Sequence, residues 1–220
     1  MIAARLIGMS LTLAFFGACG EPAAPGPSGA PAKPESKKDV FLFLGDSLTA
    51  GYGVARDEAY PSLLAERWKR EKISFRVRNA GVSGSTAKGV LENLDWNVTE
   101  DVHTVFLAIG ANDGLRGHDL DATRATLDEI VLGIRTRGAR VVLAGIKIPP
   151  NYGPVYTKRF KEMYPEVAKK HNLKLMPFLL DGVAARPAYN IADGMHPNEK
   201  GHRIMAENIH AFLSREGIIP

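Results

Sequence analysis

One cysteine among 220 residues cannot close an internal disulfide, and zinc-ligand spacing is missing. Both kinds of stapled small scaffold are therefore excluded. Charge of one sign is also scarce: 28 Lys and Arg stand against 24 Asp and Glu, a formal charge of +4. The basic residues are dispersed, and a short group such as Lys158, Arg159 and Lys161 falls at helical surface spacing. With no module that interleaves aromatic and basic residues, nucleic acid is not an expected partner. The apolar run Leu6 to Ala18 spans 13 residues, too few for the roughly 20 that a membrane-crossing helix needs. What is present is 45% hydrophobic and 24% charged, the composition of a globular chain that buries about 70% of its unfolded surface. No repeat or second hydrophobic pattern calls for more than one domain.

Arg5 followed by the Leu6–Ala18 run reads as an export signal. Its end, Phe16-Gly17-Ala18-Cys19, resembles a bacterial lipobox, in which the cysteine is lipidated and becomes the mature N-terminus. Gly20 stands where an aspartate would resemble an inner-membrane retention signal. The expected location is the periplasmic side, anchored through Cys19 to the outer membrane of a Gram-negative bacterium. Residues 20–38 hold five Pro, four Ala, three Gly and two Ser, with no aliphatic side chain larger than Ala. This composition cannot bury a core and predicts a linker with an end-to-end distance of roughly 25 Å. The organisation expected is a signal peptide (1–18), a tether (19–38) and one domain (39–220).

From Lys38 onward, β-rich apolar runs alternate with helical stripes. Strands are predicted over Val40 to Leu44, Ser74 to Arg78, Thr104 to Ile109, Ala139 to Ile146 and Leu173 to Phe178. Their continuous apolar character implies burial on both faces and parallel pairing. Leu127, Ile130, Val131 and Ile134 recur at helical spacing, as do Phe160, Met163, Tyr164 and Val167. Pro165 is expected to kink or split the second helix. A last helix, capped by Asn198, carries Met205, Ile209, Phe212 and Leu213 on one face, with Gly217 beyond its end. Five strands in a βαβ series make an α/β fold with helices on both sides of the sheet. The strand C-termini then line one edge, where sites form.

Four polar clusters fall at that edge: Gly45-Asp46-Ser47-Leu48, Asn79-Ala80-Gly81-Val82-Ser83-Gly84, Gly110-Ala111-Asn112-Asp113 and Asp193-Gly194-Met195-His196-Pro197. Taken singly, each reads as a turn or a cap. A serine at a strand end that opens a helix is nonetheless well placed as a nucleophile if a base reaches it. In this order, on these elements, Ser47, Gly81, Asn112 and His196 resemble the four blocks of the SGNH hydrolases, also called the GDSL family. The Gly-x-Ser-x-Gly elbow of the α/β-hydrolases does not occur. The resemblance implies a three-layer αβα, flavodoxin-like fold with a five-stranded parallel sheet. It also implies a catalytic set of Ser47, Asp193 and His196. His196 would take the Ser47 proton while Asp193, three residues away on the same loop, orients the ring. The oxyanion hole would comprise the Ser47 and Gly81 N–H groups and the Asn112 amide. Gly81 is equally a glycine for backbone geometry. Asp46 and Asp113 are expected to hold the loops. The histidines at 103, 118, 171, 202 and 210 have no expected triad partner or metal spacing, and no metal or cofactor is expected.

Within that group, the blocks GDSLTAGYG (45–53), ANDGLRG (111–117) and PNYG (150–153) look most like the bacterial arylesterase, lysophospholipase and acyl-CoA thioesterase I subgroup. That likeness makes Leu115, Ile148 and Tyr152 candidates for an acyl-binding groove. The expected activity is a serine esterase acting through an acyl-enzyme on small acyl esters or lysophospholipids, with thioesterase capability, in a monomer. A polysaccharide or cell-wall O-deacetylase of the same fold, and a lipid-binding lipoprotein without catalysis, are the alternatives.

Overall fold

Successive side chains of a strand point to opposite faces, so a strand that is apolar at every position needs cover on both. Strand β1 (Val40–Gly45) is of this kind, with all six residues buried. The computed structural model describes residues 38–220; the expected signal peptide, Cys19 and the tether through residue 37 lie outside the described residues. Strands β2 (Arg76–Gly81) and β3 (Val102–Ala108) flank β1, and β4 (Arg140–Ala144) and β5 (Lys174–Met176) extend the sheet beyond β3. All pairs are parallel, in the order β2-β1-β3-β4-β5, which is the flavodoxin-like order.

The α-helices among the described residues are α1 (Ser47–Ala50), α2 (Tyr60–Arg70), α3 (Ala87–Glu92), α4 (Leu94–Asn97), α5 (Ala111–Leu115), α6 (Leu120–Thr136), α7 (Pro154–Lys170) and α8 (Glu199–Arg215). Val40, Leu42 and Leu44, with Val105, Leu107, Val141 and Leu143, pack against α3, α4, α6 and α7. The alternate residues Phe41, Phe43, Phe106, Val142 and Ala144 pack against α2 and α8. This division makes the three layers. On the second face, Phe43 meets Tyr60 and Trp68 with ring centroids 5.4 and 6.2 Å apart; truncating so enclosed a ring costs about 3–5 kcal/mol. Asn198 caps α8 as its position predicts, its side chain accepting from the Gly201 N–H at 3.1 Å.

Three departures from the sequence expectations have local causes. The second strand begins and ends later than predicted, because Asn79-Ala80-Gly81 pairs with Phe43-Leu44-Gly45. As an edge strand with no fully buried residue, it can carry polar residues that read as loop. The fifth strand stops at Met176, since Pro177 has no N–H for the ladder. Helix α7 runs unsplit through Pro165. Lys161, whose carbonyl loses its donor there, lies like Pro165 on the exposed side, where the unpaired carbonyl is not buried and costs little. The buried residues Phe160, Met163, Tyr164, Val167 and Ala168 hold both halves of the helix to the core.

Candidate active site

The site begins with a steric requirement. A Cβ on Gly45 would lie 2.4 Å from the Ala108 carbonyl oxygen and 2.3 Å from Thr49 Oγ1, so only glycine lets β1 end there. Asp46 then caps the following turn, its Oδ1 accepting from the Leu48 N–H at 3.0 Å. Ser47 is thereby the first residue of α1, and its own N–H has no protein partner among the described residues.

Across the cleft, the loop before α8 is closed by a bridge between Asn190 and Pro197 and by the Ile191 N–H donating to the His196 carbonyl at 2.9 Å. This loop brings His196 Nε2 to 2.9 Å from Ser47 Oγ. On its other side, His196 Nδ1 lies 2.6 Å from Asp193 Oδ2. Asp193 Oδ1 accepts from the backbone N–H groups of Met195 (2.8 Å) and His196 (3.0 Å). Partial burial pushes the Asp193 carboxyl up, but the hydrogen bonds from His196 and Met195 outweigh it and hold the group below the usual carboxylate value. An ionised carboxylate only accepts, so Nδ1 carries the ring hydrogen and Nε2 is left to accept from the serine hydroxyl. The ring of Tyr52, 53% exposed, lies over the imidazole with centroids 4.7 Å apart.

Asn112, near the start of α5, faces the same cleft. Its Nδ2 donates to the Ser85 carbonyl at 2.9 Å, which leaves a second N–H on that nitrogen. Asp113 is buried, and its Oδ2 accepts from the Ala87 N–H at 2.9 Å, tying α5 to the start of α3. The position expected of Gly81 is different. Its N–H donates to Asn79 Oδ1 at 2.9 Å, so the group assigned to the oxyanion is already engaged. Gly81 is glycine because a Cβ would fall 2.2 Å from the Ala50 nitrogen. Three residues on, Gly84 has a left-handed φ of 82°, and its N–H is without a protein partner among the described residues. Its carbonyl is held by Arg116 Nη2 at 3.0 Å.

A cavity of about 460 Å³ opens from this constellation. Ser47, Asn112 and His196 form its polar end, and Leu48, Leu115, Ile146, Ile148, Phe178 and Leu180 form much of the remaining wall. Leu115 and Ile148 thus stand where a groove was expected. Tyr152 does not line the cavity; its hydroxyl donates to the Leu115 carbonyl at 2.8 Å, so it braces the wall from behind. Lys147 and Phe178, which the sequence did not single out, line the cavity as well. A second cavity of about 310 Å³ lies between α6 and α7, lined mainly by charged side chains and by no serine, cysteine or histidine.

Two buried ionisable groups sit close by. Burial pushes the Asp46 carboxyl up to about 6, opposed by the Leu48 N–H and the charge of His196. Its Oδ2 has no hydrogen-bond partner among the described residues. Burial lowers His202 to about 4, with His196 adding to the effect; its Nδ1 accepts from the Tyr60 N–H at 3.3 Å. Three of the outlying histidines have a carboxylate nearby after all: His171 Nε2 lies 2.7 Å from Asp128 Oδ1, while His118 Nδ1 and His210 Nε2 lie 3.7 and 3.6 Å from Asp113 and Glu71. No hydroxyl or thiol hydrogen-bonds any of these three rings among the described residues. Among those residues, too, no group of three or more His, Cys, Asp or Glu side chains is arranged to hold a metal.

The sequence profile of the family described as GDSL-like Lipase/Acylhydrolase matches residues 43–204. The arylesterase of Vibrio mimicus is 37% identical over 181 residues, covering 81% of this chain and 88% of that protein. Thioesterase 1/protease 1/lysophospholipase L1 of Escherichia coli strain K12 is 36% identical over 170 residues, covering 77% and 80%. The crystal structure of psychrotrophic esterase EstA from Pseudoalteromonas sp., inhibited by monoethylphosphonate, is similar with a TM-score of 0.77 at 31% identity, covering 80% of this chain and 97% of that one. The crystal structure of TesA is similar with a TM-score of 0.76 at 35% identity, covering 79% and 97%.

Proposed function

Because the chain belongs to the GDSL-like lipase/acylhydrolase family, and so to the ester-bond hydrolases, we propose that it cleaves carboxylic esters and thioesters through an acyl-enzyme on Ser47. The observation that carries this reading is the unbroken hydrogen-bond chain from Ser47 Oγ through His196 to Asp193. Pure lipid binding has no use for such a chain. Ser47 Oγ attacks the acyl carbonyl carbon as its proton passes to His196 Nε2. Asp193 stays ionised and stabilises the imidazolium. The tetrahedral oxyanion is received by the Ser47 N–H, the free hydrogen of Asn112 Nδ2 and, in place of Gly81, the Gly84 N–H. His196 then returns the proton to the departing alcohol or thiol. Water, deprotonated by the same imidazole, releases the acid and restores Ser47.

The apolar wall suits the hydrocarbon of an acyl chain, and each methylene it covers contributes about 0.8 kcal/mol. The relatives named arylesterase and thioesterase 1/lysophospholipase L1 support oxygen and sulfur esters alike. An export signal over 1–18, lipidation at Cys19 and a tether over 19–38 would hold the domain, a monomer in this reading, at the periplasmic face of the outer membrane. That placement favours lysophospholipids and other oxygen esters over intracellular acyl-CoA. The test compares p-nitrophenyl esters of increasing chain length, a lysophospholipid and an acyl-CoA, with the wild type and Ser47→Ala. Ser47-dependent turnover that rises with chain length is expected; full turnover by Ser47→Ala would refute the reading.

A further inference from the structure

The catalytic cavity holds one feature that ester hydrolysis itself does not require. Lys147 projects from the loop after β4 between Ile146 and Ile148, both of which line the cavity with it. Its Nζ lies 4.1 Å from the centroid of the Phe178 ring, another wall residue. A cation over an aromatic face is held by the ring quadrupole while its N–H groups stay free for a second partner. Among the described residues no carboxylate pairs with Lys147, and none of the lining residues is Asp or Glu. Lys147 is therefore the one permanent charge on the wall of a largely apolar cleft. Its side chain is itself exposed to solvent, so its attraction for an anion is partly screened by water and salt.

We propose that Lys147 determines specificity, selecting acyl esters that carry an anionic oxygen group, phosphate or carboxylate, within reach of the scissile bond. The proposal rests on the assignment of Ser47 as nucleophile and narrows its substrate class. A neutral ester of the same chain length would occupy the same apolar wall but leave the ammonium unpaired.

The experiment uses the full chain and three substrates with one acyl chain, each below its micelle concentration: a monoacylglycerol, its hemisuccinate and the corresponding lysophosphatidic acid. The readout is the ratio of kcat/KM for each anionic substrate to that for the neutral one, in the wild type, Lys147→Met and Lys147→Arg. A charge-assisted contact at a partly open site is worth roughly a tenfold preference. Lys147→Met should lose about that factor, Lys147→Arg should keep most of it, and added salt should lower the wild-type ratio but not that of Lys147→Met. A fall for lysophosphatidic acid alone would identify phosphate as the group selected; a fall for both would identify any anionic oxygen group. An unchanged ratio in Lys147→Met would overturn the proposal. A p-nitrophenyl ester control separates the two levels: if its turnover is Ser47-dependent while the ratio stays unchanged, only the Lys147 proposal falls. If the wild type shows no Ser47-dependent turnover, the assignment beneath it falls as well.

Discussion

Replacing Asp46 with asparagine should change how stability depends on pH. The carboxyl is fully buried, with one oxygen unpartnered among the described residues, and burial raises it from 3.8 to about 6. At 1.36 kcal/mol per pH unit, that gap corresponds to about 3 kcal/mol. An acid raised in the folded state favours folding most below pH 3.8, and the benefit is lost as pH climbs through 6. His202 works in the other direction. Its depression from 6.5 to about 4 favours folding above pH 6.5, and about 3 kcal/mol is lost as pH falls through 4. In the wild type the two slopes nearly cancel across this window. Asparagine keeps an oxygen to accept from the Leu48 N–H but has no proton to release, so Asp46→Asn leaves the His202 slope exposed. The assay is urea unfolding of both proteins at pH 4, 5, 6 and 7. The stability of the variant relative to wild type should rise by about 3 kcal/mol from the lowest to the highest pH, any constant packing difference cancelling. A difference flat across that range would refute the reasoning.

Further outcomes follow from the same geometry. Asn112→Ala removes one oxyanion donor and should lower kcat about a hundred- to a thousandfold with little change in KM, as steady-state kinetics on a p-nitrophenyl ester would show. Gly81→Ala drives a Cβ to 2.2 Å from the Ala50 nitrogen and should yield unfolded or insoluble protein. Gly84→Ala, with its nearest neighbour at 3.7 Å, should cost only the strain of its left-handed φ, about 1–2 kcal/mol by denaturant titration. Asp193→Asn should retain the fold by circular dichroism but lose roughly four orders of magnitude in kcat, since the amide no longer fixes the Nδ1–H tautomer.

The sheet was legible because β1, β3 and β4 are apolar on both faces, and that pattern admits few alternatives to a parallel, doubly covered sheet. The edge strand was less so: Asn79-Ala80-Gly81 is strand by pairing with β1, a non-local fact that composition does not express. Ser47, Asn112, Asp193 and His196 were legible through the ordered resemblance of their loops to the SGNH blocks, each loop alone reading as a turn or cap, and the structure brings all four to one cleft. The choice between Gly81 and Gly84 could not be made from residue type. It depends on which N–H the Asn79 side chain occupies, and that becomes visible only in three dimensions. Tyr52 lies inside the quoted GDSLTAGYG block, directly after Gly51 with its left-handed φ of 80°, so a signal for it existed. Lys147 carries no signal in the sequence, because its partner Phe178 lies thirty-one residues away in the chain and meets it only in the fold.

The reactivity of one hydroxyl can be read directly by treating the full chain with a fluorophosphonate and mapping the adduct by peptide mass spectrometry. The account predicts a single phosphonylated residue, Ser47, appearing in step with loss of esterase activity and absent in His196→Ala. Activity lost with Ser47 unmodified, or an adduct on another serine, would contradict it.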